Sequence, residues 1–174
     1  SPDEAVRTKG ADYMALLTPV VKAFLTDRGF KVCSDAMQVH GGSGFTESFP
    51  ASQHLRDSRI AMIYEWTNGV QALDLVGRKL PSNGGRSEMT FFAELDAFIA
   101  AETDAELKLF VDGLSAAKGQ LQEATMWMMQ NGSANPEEAA AASHDYLQLF
   151  GLTALAYMWA QMAKVCLAKI AAGG

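Results

Sequence analysis

Apolar residues recur at three- and four-residue intervals through most of this sequence. Near the beginning of the chain the interval is carried by Tyr13, Leu16, Leu17, Val20, Val21, Phe24 and Leu25. Such spacing places one apolar stripe along an α-helix, whereas a half-buried strand needs a two-residue alternation, which no useful length of the sequence shows. The sequence therefore predicts an all-α protein, a helical bundle with an appended C-terminal helical module.

Turn-forming residues divide the helical pattern in the first part of the chain. The first helix is predicted to run from about Asp3 and to end or kink at Gly29, with a second helical pattern continuing to Val39. The glycines that follow predict a loop. Pro50 and Thr67 are suited to begin the next two helices, because proline fits the first helical turn and threonine is a good N-cap.

The stretch Pro81–Ser87 (PSNGGRS) is the clearest break in the pattern, because it concentrates turn formers and has no apolar residue to pack. It predicts a linker, 81–87, between a helical region, 1–80, and a further helical domain, 88–174. In that domain we expect helices over 91–101, from a capping box at 103–106 to about Gln130, and from an Asn135-Pro136 cap to Ala171.

Charge argues against binding to nucleic acid, and composition argues against a membrane span. The net charge of −6 and the isoelectric point near 5.0 oppose binding to nucleic acid. The apolar stretch 146–170 is long, but Gln148, Gln161, Lys164 and Lys169 interrupt it. It predicts a buried bundle helix rather than a membrane span.

Two cysteines and the start of the chain favour a cytoplasmic protein. Cys33 and Cys166 are far apart and show neither a redox pair nor metal-ligand spacing, so we expect reduced, buried thiols. The first residues show no secretory signal pattern. Trp127 and Trp159, with the methionines beside them, are expected to fill the core.

The glycine cluster Gln38–Phe45 (QVHGGSGF) is the first candidate binding segment. Glycines let a phosphate approach the backbone amides closely. The cluster matches neither the dinucleotide fingerprint nor a nucleotide P-loop, so on spacing alone a helix end and tight turn explains it more simply. His40 lies inside it, but with only His54 and His144 elsewhere no catalytic triad or metal site is predicted.

Glu65 lies in the heptapeptide IYEWTNG, between an apolar run and the start of a helix. The apolar residues around it would raise the pKa of its carboxyl and suit it to remove a proton from carbon. The following helix N-terminus would favour the anion instead. From the residues alone, a helix-capping carboxylate and a general base remain equally open.

Several motifs of the sequence recur, in the same order, in a known family. These are DAMQVHGGSGF from Asp35, Pro50 followed by Arg56-Asp57, and IYEWTNGVQ from Ile63. Together they resemble the closing part of the acyl-CoA dehydrogenases, flavoenzymes that oxidise acyl-CoA thioesters to α,β-unsaturated products. The run TNGVQALDLVGRKL is most similar to the long branch of that family with an extra C-terminal domain, which includes the methylmercaptopropionyl-CoA dehydrogenases.

The resemblance implies a role for each matched position. Glu65 would remove the α-proton of the acyl-CoA while the β-hydrogen leaves as hydride to FAD, and its backbone amide would bind the thioester carbonyl. One cofactor-binding group would meet the FAD pyrophosphate of a neighbouring subunit: Gln38, Val39, His40, Gly41 and Gly42. A second group would also contact the flavin dinucleotide: Thr67, Asn68 and Gly69.

The resemblance also implies partners: an acyl-CoA substrate, electron-transfer flavoprotein as acceptor and a homo-oligomer. Trp66 departs from the family, which has glycine immediately after the base, where the substrate passes close to the backbone. The family's upstream domains are also missing from this chain, so the chain alone is expected to be inactive. The alternative is a catalytically silent helical assembly module of the same fold.

Overall fold

The computed structural model describes residues 2–173, which are built from helices and connecting turns without a strand. The all-α prediction is confirmed. The α-helices of this range are α1 Glu4–Val39, α2 Gly41–Phe45, α3 Ala51–Ala61, α4 Asn68–Asp74, α5 Arg86–Ala101, α6 Lys108–Asn131 and α7 Pro136–Ala171. A π-helical segment, Leu75–Lys79, extends α4, and 3-10 turns at Ser82–Gly85 and Ala105–Leu107 precede α5 and α6.

Helix α1 does not end at Gly29, and the expectation of a helix boundary there is wrong. A Cβ at Gly29 would meet no atom within 4 Å, so this glycine lies on an open face of the helix. Glycine inside a helix costs about 1 kcal/mol relative to alanine, which the packing of a 36-residue helix can offset. Pro19 is also accommodated inside α1.

Two of the three helix starts predicted after the linker agree with caps in the structure, but the helix predicted from residue 91 begins at Arg86, inside the predicted linker. Asp104, within the predicted capping box, accepts a hydrogen bond from the Glu106 amide at the turn that leads into α6. Asn135 caps α7 by accepting from the Glu138 amide, and Pro136 is its first residue. None of the described helices combines the length and apolar character needed to cross a bilayer.

One apolar core joins α1 to the helices on the far side of the predicted linker. Phe24 of α1 packs against Gly151 of α7, where an added Cβ would lie 2.4 Å from the phenyl ring. Phe91 of α5 stacks on Phe150 of α7 with ring centroids 5.0 Å apart. Glycine at position 151 therefore permits the close approach of α1 and α7.

The predicted linker is anchored to α1 by an ion pair. Arg86 binds the buried Asp12 through two hydrogen bonds of 2.9 and 2.7 Å, and this guanidinium holds the pKa of Asp12 below its usual range. Just before it, Asn83, Gly84 and Gly85 all have positive φ, a conformation that asparagine and glycine tolerate best. The run of turn formers thus makes a tight, fixed connection.

A helical arm projects from this core. We use the term arm for residues 25–64, which comprise the second half of α1 with α2 and α3. Buried positions of α1 end at Phe24, and beyond it Val32, Val39 and Phe45 are largely exposed. Helix α3 packs back along α1, with the Arg59 guanidinium 5.3 Å from the Phe30 ring. The arm therefore has a tip at the glycine cluster and a base beside Glu65.

Two sequence expectations about burial are wrong. Trp127 and Trp159 are 40% and 56% exposed, so they do not fill the core. Cys166 is exposed and Cys33 is half-buried, and both are free thiols rather than buried ones. Helical spacing places such residues on one stripe of a helix, but it does not show whether another element of the same chain covers that stripe.

Glu88, in the first turn of α5, is a buried carboxyl that finds no hydrogen-bond partner among the described residues. Its residue is 2% exposed, and neither carboxyl oxygen has a hydrogen-bond partner within residues 2–173. Burial raises the pKa of this carboxyl. The unfolded chain therefore loses the proton at lower pH than the folded chain does, and stability falls as pH rises above the ordinary glutamate value of about 4.3.

We expect Glu88→Gln to remove this part of the pH dependence. The melting temperature of the variant minus that of the unaltered protein should be higher at pH 7 than at pH 4 by at least about 2 °C. A change of roughly 1 kcal/mol in the free energy of unfolding produces such a shift in a chain of this size. Thermal unfolding followed by circular dichroism measures it. Glu123→Gln, an exposed control on α6, should show no such trend. The same pH trend in both variants would contradict the burial of Glu88.

Candidate functional site

The segment that carries Glu65 has an unfavourable backbone conformation. Glu65 and Trp66 have φ angles of 49° and 68°, in the left-handed region that residues with a Cβ seldom adopt. This conformation costs about 1–2 kcal/mol for each residue. It reverses the chain between α3 and α4, so that the base of the arm returns to α1. A conformation of this kind persists only where surrounding contacts hold it.

Asn68 supplies the main contact between this segment and α1. Its side chain is buried, and its amide nitrogen lies 2.6 Å from Asp27 Oδ1, 2.9 Å from Thr26 Oγ1 and 3.2 Å from the Ala23 carbonyl oxygen. The Asn68 amide oxygen accepts from Lys22 Nζ at 2.7 Å. This predicted cofactor-binding side chain is thus occupied by contacts within the chain.

Two further hydrogen bonds hold the reversed backbone itself. Lys22 Nζ donates to the carbonyl oxygen of Trp66 at 2.7 Å, and Gln71 Nε2 donates to that of Glu65 at 3.1 Å. The Lys22 ammonium also lies 6.0 Å from the centre of the Tyr64 ring. Each carbonyl of the left-handed pair therefore has a donor from a neighbouring helix.

The Glu65 side chain is exposed, and the described residues do not bury it. Ile63, Tyr64 and Trp66, which the sequence suggested as an apolar surrounding, are 48%, 51% and 59% exposed. Thr67 is the N-cap residue of α4 as predicted, although its side chain makes no capping hydrogen bond. Any desolvation of the Glu65 carboxylate must come from atoms outside residues 2–173.

The glycine cluster lies at the tip of the arm and differs from the predicted loop. Residues 41–45 form the short helix α2, because Gly41 turns the chain with a φ of 59° and α2 then packs against the end of α1. A Cβ at Gly44 would lie 2.6 Å from the Met37 carbonyl oxygen and 2.7 Å from His40 Cβ. Only glycine fits this close approach.

The predicted cofactor-binding positions at the tip are all exposed: Gln38, Val39, His40, Gly41 and Gly42. Beside them lies a cleft of about 270 Å³, lined by residues that include Cys33, His40, Phe49 and His54. Among the described residues no three histidine, cysteine or acidic side chains cluster as metal ligands. The structure thus brings two of the three histidines to one cleft.

The tip and the base of the arm are well separated. Glu65 lies at the level of Lys22 on α1, whereas the glycine cluster follows Val39 at the end of the same helix. At roughly 1.5 Å per residue these two levels are about 25 Å apart along the helix axis. Gly69 and Thr67 lie at the base with Glu65, so the two predicted cofactor-binding groups do not come together within one chain.

Lys22, Thr26 and Asp27 are site residues that sequence reasoning did not identify. They lie on one side of α1, and the only signal was their polarity within an otherwise apolar stretch of helix. Their role depends on contacts with Asn68, more than forty positions later in the chain. No local pattern contains that information.

Models of two protein families match this chain. Residues 4–80 match the C-terminal domain of acyl-CoA dehydrogenases, and residues 91–174 match a domain described as acetyl-CoA dehydrogenase C-terminal like. The chain belongs to the acyl-CoA dehydrogenase family. Its all-α helical fold is the one expected of the C-terminal region of an acyl-CoA dehydrogenase.

Curated relatives support the family assignment. A 3-methylmercaptopropionyl-CoA dehydrogenase of Ruegeria pomeroyi is 34% identical over 99% of this chain. A butyryl-CoA dehydrogenase of Syntrophomonas wolfei is 30% identical over 74%, and a broad-specificity linear acyl-CoA dehydrogenase of Mycobacterium tuberculosis is 25% identical over 91%. The matched region spans 30%, 22% and 27% of the length of these relatives, respectively.

The left-handed backbone at Trp66 can be tested by comparing two substitutions. We expect Trp66→Gly to be more stable than Trp66→Ala by about 1 kcal/mol, because glycine adopts positive φ without the Cβ clash. Chemical unfolding measures the difference. Trp159 is an exposed tryptophan inside α7, where glycine is unfavourable. There, Trp159→Ala should be more stable than Trp159→Gly by about 1 kcal/mol. Equal or greater stability of Trp66→Ala would contradict the left-handed conformation.

Proposed function

We propose that this chain is the C-terminal part of an FAD-dependent acyl-CoA dehydrogenase, in which Glu65 removes the α-proton of an acyl-CoA thioester. The observation that carries the proposal is the exposed Glu65 carboxylate on a backbone that long-range contacts hold in a left-handed turn. A carboxylate on a fixed backbone can be aimed at a C–H bond, and the thioester carbonyl makes that bond acidic.

The backbone of Glu65 supports a second part in the same step. Its carbonyl oxygen is taken by Gln71, but its amide has no hydrogen-bond acceptor within residues 2–173. An unpaired amide next to the base can donate to the thioester carbonyl oxygen, where negative charge develops as the α-proton leaves. The same residue would then both acidify the substrate and accept its proton.

The residues at the tip of the arm fit an extended dinucleotide. Gly41 and Gly42 are exposed, and a Cβ at either would meet no atom within 4 Å, so their backbone is open to a phosphate. His40 adds a polar side chain to the lining of the cleft, and Gln38 is exposed two residues before it. When bound, FAD would accept the β-hydrogen of the substrate as a hydride.

The separation of tip and base supports a homo-oligomer. Because the glycine cluster lies about 25 Å from the level of Glu65 along α1, at roughly 1.5 Å per residue, the tip of one chain would serve the cofactor of a neighbouring subunit. Thr67 and Gly69, beside Glu65, would contact the FAD of their own site. Electron-transfer flavoprotein as the acceptor rests on the family, and a cytoplasmic location rests on two cysteines that form neither a redox pair nor a metal-ligand pattern.

The base assignment is tested by Glu65→Gln in the flavin-loaded enzyme. We expect the rate of flavin reduction by acyl-CoA to fall by about 10²–10⁴-fold, the contribution of a general base, because glutamine cannot accept the proton. Stopped-flow absorbance measures the rate. The affinity for acyl-CoA should change little, because the backbone amide of residue 65 remains.

Glu123→Gln, an exposed substitution on α6, is the matched control and should reduce flavin at the unaltered rate. If Glu65→Gln also reduced flavin at that rate while its FAD content and helicity were unchanged, another group would have to be the base.

Trp66 favours one alternative, a catalytically silent assembly module of the same fold. Its indole is 59% exposed and directly follows Glu65, where it would lie beside the acyl chain. A side chain of that size narrows or closes an acyl pocket. The positive φ of Trp66 also places an indole on a backbone position that suits glycine.

Trp66→Gly separates an obstructed or active enzyme from a silent module. In an enzyme, kcat/KM with longer acyl-CoA substrates should increase by about tenfold or more, since two acyl methylenes buried in the space left by the indole contribute about 0.8 kcal/mol each and about 1.4 kcal/mol is tenfold. Steady-state assays over a series of acyl chain lengths measure this. Absence of turnover in both forms, with intact oligomers, would favour the assembly module.

A further inference from the structure

Asp27 connects the base of the arm to helix α7. One of its carboxylate oxygens, Oδ1, accepts from Asn68 Nδ2 at 2.6 Å, and the other, Oδ2, accepts from Gln148 Nε2 at 3.1 Å. The Gln148 amide oxygen in turn accepts from the Arg28 guanidinium at 3.2 Å. Both oxygens of Asp27 are therefore used, one toward the turn at Glu65 and one toward α7.

The connection has a consequence for the turn, because Asn68 is its anchor on α1. A carboxylate held at one oxygen can still rotate, whereas hydrogen bonds to both oxygens fix its plane. Fixing Asp27 fixes the amide of Asn68. Glu65 and Trp66, which need outside contacts to keep their positive φ angles, directly precede Thr67 and Asn68 in the chain.

We propose that Gln148 is a positioning residue for the candidate base: through Asp27 and Asn68 it fixes the backbone segment that carries Glu65. The family resemblance assigned no role to the region after residue 87, and this proposal makes α7 of that region part of the site. An effect of Gln148 on catalysis depends on the role proposed for Glu65. An effect of Gln148 on the backbone of the turn does not depend on that role.

Gln148→Glu is the direct test, because the new side chain has nearly the same shape and can still pair with Arg28. It loses the N–H that donates to Asp27 and sets two carboxylates against each other. We expect the hydrogen-bonded amides within residues 63–71, those of Ile63, Tyr64 and Gln71, to exchange with deuterium about tenfold faster, as for the loss of a hydrogen bond to a charged acceptor. Hydrogen–deuterium exchange with mass spectrometry measures this, and exchange in α6 should not change.

A reciprocal substitution distinguishes positioning from general packing. When Asp27→Asn is combined with Gln148→Glu, the amide introduced on α1 can accept from Asn68 and donate to the carboxylate introduced on α7, so the link is rebuilt with its charges exchanged. Exchange of residues 63–71 should return to within about twofold of the unaltered protein, the scatter expected for a rebuilt hydrogen bond. A role in packing α7 alone predicts no such rescue. Gln122→Ala, a half-buried glutamine on α6 without a side-chain partner in the described range, is the control.

Three outcomes would overturn the proposal: unchanged exchange of residues 63–71 in Gln148→Glu, equal acceleration over the whole chain, or no rescue in the double substitution. If Gln148→Glu does not fold, Gln148→Ala gives the same comparison. In the flavin-loaded enzyme, Gln148→Glu should slow flavin reduction without changing acyl-CoA affinity. If Glu65→Gln does not affect flavin reduction, the base assignment fails, while the exchange data still decide whether Gln148 positions the turn.

Discussion

The contact of the buried Asn68 side chain with α1 is the interaction on which the proposed site depends. It joins a turn with two unfavourable φ angles to the middle of a helix that the core holds in place. Without it the turn would retain only single hydrogen bonds to its carbonyl oxygens, from Lys22 and Gln71. Such contacts must offset the conformational strain of the turn. The packed core therefore holds the backbone of Glu65 in place through α1 and Asn68.

The arm carries part of the apolar surface that is exposed in the described residues. Its residues extend beyond the last buried position of α1, and Val39 and Phe45 at its tip are 87% and 76% exposed. Under the proposed function, this exposed apolar surface would pack against a neighbouring subunit. A tip that reaches a neighbouring cofactor and a base that presents Glu65 give each half of the arm a role under the proposed function.

Local signals predicted most of the fold. Although the predicted linker extends two residues into α5, the caps at Asp104 and Asn135 and the turn that ends at Gly85 follow from short-range chemistry that the sequence displays. The continuity of α1 through Gly29 does not, because tertiary packing outweighs the cost of one glycine. The exposure of Trp127 and Trp159 could not be predicted either, since helical periodicity shows which residues share a face but not what covers it.

At the site, Glu65 and the glycine cluster were visible as motifs. Lys22, Asp27 and Gln148 were not, because their partners are distant in sequence.

The central claim is that Glu65 acts on the α-carbon of an acyl-CoA, and a structure of the flavin-loaded enzyme with a non-reactive acyl-CoA tests it most directly. The account predicts that the Glu65 carboxylate, exposed in this chain, becomes buried there with an oxygen about 3–3.5 Å from the α-carbon, the separation of a near-attack arrangement. A Glu65 side chain that still points into solvent, with the thioester bound elsewhere, would contradict it.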